Sequence, residues 1–247
     1  MVSPHRRGGV RLVRRTAPLL ALLLVACSIH PETVRTLPPD RGAAVVYVAL
    51  GDSTVEGVGA SSPALNYVSL LHEQLRAVYP GARVANLGVG GATSADVLLR
   101  QLDRAIEQRP NLVTLSIGPN DITTRVPVDV YERNLETILG RLRHETTAVV
   151  VVNSIPDLAV TPRFRRSRSR ETVGRLTVVF NEALERQALA HDAELVDLYT
   201  TSRHEVPLRP ELIGRDGYHP SDVGYARWAE LVWSGIQSRI AARKVSR

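Results

Sequence analysis

The sequence predicts an α/β domain built on a parallel sheet with helices on both faces, a three-layer α/β/α sandwich. Short apolar runs alternate along the chain with longer segments in which apolar residues recur every three or four positions. One run, Ala148–Val152, is almost pure valine, as expected for a parallel strand covered on both faces. Strands that alternate with helices imply right-handed crossovers within one sheet. At 247 residues and without an internal repeat, the chain fits one large domain.

Five apolar runs and five amphipathic segments can be placed in order along the chain. The strands are expected at residues 45–50, 83–87, 112–117, 148–152 and 194–198. Four helices are expected at residues 65–78, 94–107, 129–143 and 171–190. A last helix is expected to begin after Ser221, an N-cap residue type, and to end at about Ile240. This regular alternation predicts five parallel strands.

Residues 1–27 have the features of an export signal peptide. A basic region ends at Arg15, and the apolar run Ala17–Ala26 that follows is too short to cross a bilayer as a helix, which needs about 20 residues. The motif Leu24-Val25-Ala26-Cys27 resembles the lipobox of bacterial lipoprotein signals, in which the cysteine is lipidated and becomes the new N-terminus. The protein is therefore expected to be exported, and either extracellular or anchored by Cys27 to the outer face of the cytoplasmic membrane. An ordinary secretory signal cleaved nearby is the alternative.

The segment after the signal is expected to be a linker. Residues 28–44 contain Pro31, Pro38 and Pro39 and show no periodicity, which is typical of a flexible tether. The folded domain is then expected to cover residues 45–247. Because Cys27 is the only cysteine, the domain has no intramolecular disulfide and depends on its packed core.

The positive charge of the chain is concentrated in two segments. Residues 1–27 hold five arginines and no acid, and removing five from 31 basic residues leaves 26 against 25 acidic ones. A nearly neutral domain gives little support to nucleic-acid binding. Residues 163–170 hold five more arginines without an acid. This segment is either a mobile solvated loop or a flap beside the substrate that meets anionic lipid or polysaccharide.

Polar loops follow three of the predicted strands, and a fourth precedes the last helix. They are Asp52-Ser53, Gly90-Gly91, Asn120-Asp121 and Asp216–His219. The carboxyl ends of parallel strands share one edge of a sheet, where ligands bind in open α/β folds. The first three loops are therefore expected to meet at that edge, within reach of the fourth.

These loops carry the residue types that acyl transfer needs. A serine hydroxyl such as that of Ser53 becomes a nucleophile when a base takes its proton, and the pKa of histidine suits that task. His219 needs a carboxylate to fix its tautomer, and Asp216 lies three residues before it. Gly217 between them can adopt a positive φ angle.

A tetrahedral intermediate also needs preorganised hydrogen-bond donors for its oxyanion. The candidates are the backbone N–H groups of Ser53 and Gly91 and the side-chain amide of Asn120. Asp52 and Asp121 are expected to order their turns rather than to react.

Four blocks of the sequence resemble those of the GDSL or SGNH hydrolases. They occur in the family's order, from residue 51 to residue 220: Gly51-Asp52-Ser53-Thr54-Val55-Glu56-Gly57, Asn86-Leu87-Gly88-Val89-Gly90-Gly91, Gly118-Pro119-Asn120-Asp121 and Asp216-Gly217-Tyr218-His219-Pro220. The glycine of the second block is assigned to Gly91 from its offset from Asn86. The sequence has no Gly-x-Ser-x-Gly elbow, which disfavours the α/β-hydrolase fold.

The resemblance implies a serine esterase or lipase with a flavodoxin-like sheet and no metal or organic cofactor. It implies Ser53 as nucleophile, His219 as base, Asp216 as its partner, and an oxyanion hole formed by Ser53, Gly91 and Asn120. The expected substrate is a small-molecule, lipid or carbohydrate ester. Two alternatives are an acyltransferase or deacetylase acting on carbohydrate hydroxyls, and a cell-surface binding protein without turnover.

Overall fold

The computed structural model describes residues 1–2 and 34–241. The signal-peptide prediction rests on residues 3–27, and these, including Cys27, lie outside the described residues, as do residues 28–33 of the predicted linker. In the part of the chain that is described, no helix is both long enough and apolar enough to cross a membrane.

A single five-stranded parallel sheet lies at the centre of the fold, as predicted. Its strands are β1 (Val46–Gly51), β2 (Arg83–Asn86), β3 (Leu112–Ser116), β4 (Val149–Asn153) and β5 (Glu194–Val196), in the order β2-β1-β3-β4-β5. This flavodoxin-like order has its topological switch point between β1 and β3, where ligands bind in doubly wound sheets. All five carboxyl ends point to the same edge.

Helices cover both faces of the sheet. They are α1 (Ser53–Glu56), α2 (Tyr67–Val78), α3 (Ser94–Asp96), α4 (Leu102–Glu107), α5 (Pro119–Thr123), α6 (Val128–Glu145), α7 (Pro162–Arg165), α8 (Arg170–Ala190), α9 (Leu198–Glu205) and α10 (Asp222–Ser238). Short 3₁₀ turns lie at Pro63–Leu65, Leu158–Val160 and Pro210–Leu212, and a π-helical turn at Val97–Gln101 joins α3 to α4. Ser221 caps α10 by accepting from Gly224 N–H, as predicted.

The two sides of β1 face different cores. Val48 and Leu50 belong to the apolar cluster that includes α6 and α8, whereas Tyr47 and Ala49 belong to the cluster that includes α2 and α10. All four side chains are fully buried. Because alternate side chains of a strand point to opposite faces, β1 is packed on both sides and its carboxyl end is held rigidly.

Most predicted elements match the observed ones to within one or two residues, and two of the differences have a clear local cause. Strand β5 ends at Val196 rather than at residue 198, because Asp197 caps α9 by accepting from Thr200 N–H at 2.9 Å. The helix predicted over residues 94–107 is interrupted by the π-helical turn, which ends at the buried residue Gln101.

The described part of the predicted linker, residues 34–44, is packed against the domain, so the expectation of a flexible tether is wrong for it. Leu37 is fully buried, and its N–H donates to Arg239 O at 2.7 Å. Arg41 donates to Ala241 O at 2.8 Å and to the Tyr79 hydroxyl at 2.5 Å. The prolines and the lack of periodicity correctly indicated that residues 34–44 form no helix or sheet strand. They did not indicate the side chains that anchor this segment to the domain.

Candidate active site

Ser53 lies at the first turn after β1, directly beside the switch point. Its position depends on Gly51, which has φ of +147°, and a Cβ there would lie 2.0 Å from Ser116 O on β3. Asp52 then caps α1, because its Oδ1 accepts from Thr54 N at 2.9 Å and from Thr54 Oγ1 at 2.8 Å. In the Gly-Asp-Ser sequence, Gly51 therefore ends the strand, Asp52 caps the helix, and Ser53 places its hydroxyl at the edge of the sheet.

A buried glutamine holds the end of β1 from the side. The side chain of Gln101 donates from Nε2 to Gly51 O at 2.8 Å and accepts from Gly51 N–H at 2.9 Å through Oε1. The residue is 1% exposed. Sequence reasoning missed this contact, since a glutamine within an amphipathic helical pattern gives no signal of its partner.

The structure brings Ser53, His219 and Asp216 together, as the sequence predicts. Ser53 Oγ lies 2.8 Å from His219 Nε2, and His219 Nδ1 lies 2.5 Å from Asp216 Oδ2. Asp216 Oδ1 also accepts from the N–H groups of Tyr218 and His219, at 2.9 and 3.0 Å. Gly217 has the predicted positive φ, +72°. The turn thus carries the carboxylate and the imidazole in one hydrogen-bonded unit.

The hydrogen bonds of this turn keep Asp216 ionised. Partial burial acts to raise the pKa of Asp216, but the hydrogen bonds from the imidazole of His219 and from the two backbone N–H groups outweigh it, and the pKa is lowered. An ionised Asp216 favours the tautomer with the proton on Nδ1. Nε2 is then free to accept the proton of Ser53 Oγ.

Helix α7, in the arginine-rich segment, packs on the same turn. Arg163 N–H donates to Gly217 O at 2.9 Å, and its guanidinium lies 5.0 Å from the ring centre of Tyr218. Phe164 meets Tyr218 edge to face at 5.9 Å, and Tyr218 in turn meets the His219 ring at 5.0 Å. This part of the segment is therefore a support for the His219 turn, a role that the charge pattern did not reveal.

The three predicted oxyanion donors follow the carboxyl ends of three strands: Ser53 begins α1 after β1, Gly91 lies in a turn after β2, and Asn120 lies in α5 after β3. Asn120 Nδ2 donates one hydrogen to Ala92 O at 2.9 Å, which orients the amide and leaves its second N–H available. Gly91 has φ of +80° and is exposed, with open space where a Cβ would lie. Within residues 34–241, the N–H groups of Ser53 and Gly91 have no hydrogen-bond acceptor.

Asp121 braces the loop that carries Asn120, as predicted. Its carboxylate accepts from Ser94 N at 3.0 Å and from Ser94 Oγ at 2.6 Å, and it is fully buried. Asn134 extends the network by donating to Ser94 Oγ at 2.9 Å. Among residues 34–241, no group of three or more His, Cys, Asp or Glu side chains is arranged to hold a metal ion.

Comparison with known proteins identifies the family of the chain. Residues 49–227 match the model of the GDSL-like lipase/acylhydrolase family. The chain belongs to this family. The match confirms the resemblance noted in the four blocks and the prediction of a carboxylic ester hydrolase of the serine type.

Relatives of this GDSL-family hydrolase include two proteins named as esterases. It is 24% identical over 189 residues to an acetylxylan esterase of Geobacillus stearothermophilus, covering 71% of this chain and 83% of that one. It is 25% identical over 217 residues to esterase TesA of Pseudomonas aeruginosa, covering 88% of this chain and 98% of that one. The crystal structure of TesA superposes with a TM-score of 0.65 at 24% identity, covering 79% of this chain and 99% of that one, and confirms the fold.

Asp52 stands apart electrostatically from the other residues of this site. It is 1% exposed, and its Oδ2 has no hydrogen-bond partner among the described residues. Burial raises the pKa of Asp52 to about 6, although the hydrogen bonds from Thr54 and the positive charge that His219 can carry oppose the shift. The sequence block from Gly51 to Gly57 therefore contains a buried acid whose pKa lies close to neutral pH.

We expect the stability of Asp52→Asn, relative to the parent, to depend on pH. The pKa of Asp52 is raised on folding from 3.8 to about 6, so its protonation stabilises the fold at low pH, and this contribution disappears as the pH rises through about 6. Asparagine keeps the acceptor for Thr54 without this proton linkage. Denaturant unfolding at several pH values measures this effect. The free energy of unfolding of the variant minus that of the parent is expected to rise between about pH 4 and about pH 7, by up to about 3 kcal/mol.

The matched control is Asp129→Asn on α6. The pKa of the exposed Asp129 is lowered by its hydrogen bond from Arg133, so the control's relative stability is expected to change slightly and in the opposite direction. If the difference in free energy of unfolding between Asp52→Asn and the parent did not depend on pH, the raised pKa of Asp52 would be contradicted.

Proposed function

We propose that this protein hydrolyses carboxylic esters through an acyl-enzyme intermediate on Ser53, with His219 as general base and Asp216 as its orienting acid. One observation carries the proposal: a continuous relay from Ser53 Oγ to His219 Nε2 at 2.8 Å and from His219 Nδ1 to Asp216 Oδ2 at 2.5 Å. The names of the related acetylxylan esterase and esterase TesA support ester hydrolysis at this site.

Acylation begins when Ser53 Oγ attacks the ester carbonyl carbon and its proton passes to His219 Nε2. The imidazolium that forms is stabilised by the carboxylate of Asp216, whose pKa is lowered and which therefore stays ionised at neutral pH. The C–O bond to the alcohol then breaks, and His219 returns the proton to the departing oxygen. The products of this half-reaction are the free alcohol and an acyl-serine.

The oxyanion of each tetrahedral intermediate is stabilised by the N–H groups of Ser53 and Gly91 and by the Asn120 amide. Two of these donors have no acceptor within residues 34–241, and the hydrogen bond to Ala92 O aims the third. Donors held in advance require no reorganisation when charge develops, and removing one typically reduces kcat by about 10²- to 10³-fold.

Deacylation repeats the sequence with water. His219 takes a proton from the water, the hydroxide oxygen bonds to the acyl carbon, and the proton passes to Ser53 Oγ as the acyl–serine bond breaks. The carboxylic acid leaves and the enzyme is restored. No side chain outside the relay and the oxyanion hole is required for proton transfer.

Replacing the nucleophile tests this assignment. We expect Ser53→Ala to reduce hydrolysis of short p-nitrophenyl esters on the order of 10⁴- to 10⁶-fold, because the covalent step is lost while substrate binding remains. A fluorophosphonate probe is expected to label the parent and not the variant. Ser234→Ala on the exposed side of α10 is the control and is expected to retain full activity and labelling. Unchanged activity of Ser53→Ala, with circular dichroism like that of the parent, would refute the proposal.

We further propose that the protein is exported and anchored by a lipid on Cys27. Support comes from the basic segment, the short apolar run and the Leu24–Cys27 motif. A lipid at that position holds the hydrolase at a membrane surface.

Metabolic labelling distinguishes a lipoprotein from a freely secreted enzyme. When the full chain is expressed in a bacterium fed labelled palmitate, we expect the parent to carry the label and to fractionate with membranes. Cys27→Ser is expected to carry no label, while its esterase activity is unchanged. An unlabelled, soluble parent with the signal removed would instead favour the ordinary secretory signal.

A further inference from the structure

A small pocket of about 100 Å³ opens beside the catalytic serine. Ser53 and His219 line one end of it, and the facing sides of α9 and α10 line its length. The residues that α10 contributes, Gly224, Arg227, Trp228 and Leu231, recur at the spacing of one helix face. Because α10 begins three residues after His219, this face extends away from the relay by about two helical turns.

The walls of this pocket are largely apolar. Leu198 contributes from α9, Val206 from the residue that follows this helix, and Trp228 from α10; each is less than a tenth exposed. Leu231 is half-buried at the end of the helix face farthest from His219. Such walls favour a hydrocarbon group over a hydrated one.

The one arginine that lines the pocket is paired with a protein carboxylate, and of the acids only Asp52 keeps a buried carboxylate oxygen, Oδ2, without a partner among the described residues. Arg227 donates to both carboxylate oxygens of Glu205, at 2.7 Å from Nη2 to Oε1 and at 3.1 Å from Nε to Oε2. These hydrogen bonds lower the pKa of Glu205 and keep the pair ionised. Asp52 and Asp157 accept backbone hydrogen bonds from Thr54 and Ala159. Apart from Arg227, the lining described here holds no arginine or lysine, so no free cation is available for an anionic group.

The volume limits what the pocket can hold. An apolar cavity of about 150 Å³ binds benzene, which has six carbon atoms, so the present pocket corresponds to about four carbons. A sugar ring is larger than this and hydrated on all sides. Of the two parts of an ester, the acyl chain is the one that is bonded to Ser53 Oγ in the intermediate and that can be small and fully apolar.

We propose that this pocket is the acyl site and that it selects esters of short, uncharged aliphatic acids, with butanoyl as the longest chain that fits. The inference rests on the proposed function, because it places the acyl group of the Ser53 intermediate between α9 and α10. Leu231 limits the length of the chain, and the Glu205–Arg227 ion pair contributes a polar wall without a free charge.

Chain-length profiles of kcat/KM test this selectivity. With p-nitrophenyl esters from acetyl to decanoyl, each added CH₂ is expected to raise kcat/KM about fourfold up to butanoyl, and longer chains to lose this gain. Leu231→Ala lengthens the site and is expected to move the maximum to hexanoyl or octanoyl. Leu231→Trp fills the site and is expected to move the maximum to acetyl. The matched controls are Leu189→Ala and Leu189→Trp on α8, where the side chain is 85% exposed, and neither is expected to change the profile.

A second comparison tests the exclusion of charge. The p-nitrophenyl monoester of succinic acid has a chain of the same length as the butanoyl ester but ends in a carboxylate. We expect its kcat/KM to be at least tenfold below that of the butanoyl ester. A series of alkyl acetates, from methyl to octyl, separates the acyl part from the alcohol part, and Leu231→Ala is expected to leave that series unchanged.

The outcomes separate this inference from the proposed function. If the acetate esters are hydrolysed but the Leu231 variants keep the parental acyl profile, the pocket is not the acyl site. The same conclusion follows if the shift occurs in the alkyl acetates, or if octanoyl or succinyl esters match butanoyl in the parent. If Ser53→Ala retains full activity, the proposed function itself fails, whatever the profiles show.

Discussion

The hydrogen bond between Ser53 Oγ and His219 Nε2 joins the end of the first strand to a turn 166 residues later in the chain. A contact over such a distance in sequence is maintained only if both ends are fixed by the fold. Ser53 is fixed by the buried strand β1, by the close approach of Gly51 to Ser116 O and by the side chain of Gln101. The parallel sheet therefore fixes the position of Ser53 relative to the His219 turn.

The other end is fixed by a different kind of interaction. The His219 turn lies outside the five-stranded sheet. Its order comes from the carboxylate of Asp216, which accepts three hydrogen bonds, from Tyr218, which packs between His219 and α7, and from the backbone N–H of Gly214, which donates to His219 O at 2.8 Å. One carboxylate thus orders the turn and orients the imidazole. A turn held in this way can keep the imidazole of His219 at the sheet edge.

Much of the fold and of the relay could be predicted from the sequence, because both depend on local patterns. Valine-rich runs gave the strands to within one or two residues, and Ser53, Asp216 and His219 stood out as reactive residue types at predicted strand ends and turns. The contacts of Gln101 with Gly51, of Arg163 with Tyr218 and of Leu37 with Arg239 could not be predicted in this way. Each joins residues about 50 or more positions apart. Residues of these types also occur on protein surfaces, so the residue type alone does not indicate the contact. Helix α9 was missed for a local reason: the apolar residue Leu198 continued a strand pattern that the Asp197 cap ends.

The central claim is that Ser53 carries the acyl group during turnover, and the most direct measurement is to trap it there. The enzyme is mixed with excess p-nitrophenyl butanoate, quenched with acid within milliseconds, digested, and its peptides are analysed by mass spectrometry. We expect a butanoyl group on the peptide that contains Ser53, formed in step with a burst of p-nitrophenol. A burst accompanied by a butanoyl group on another residue would contradict it.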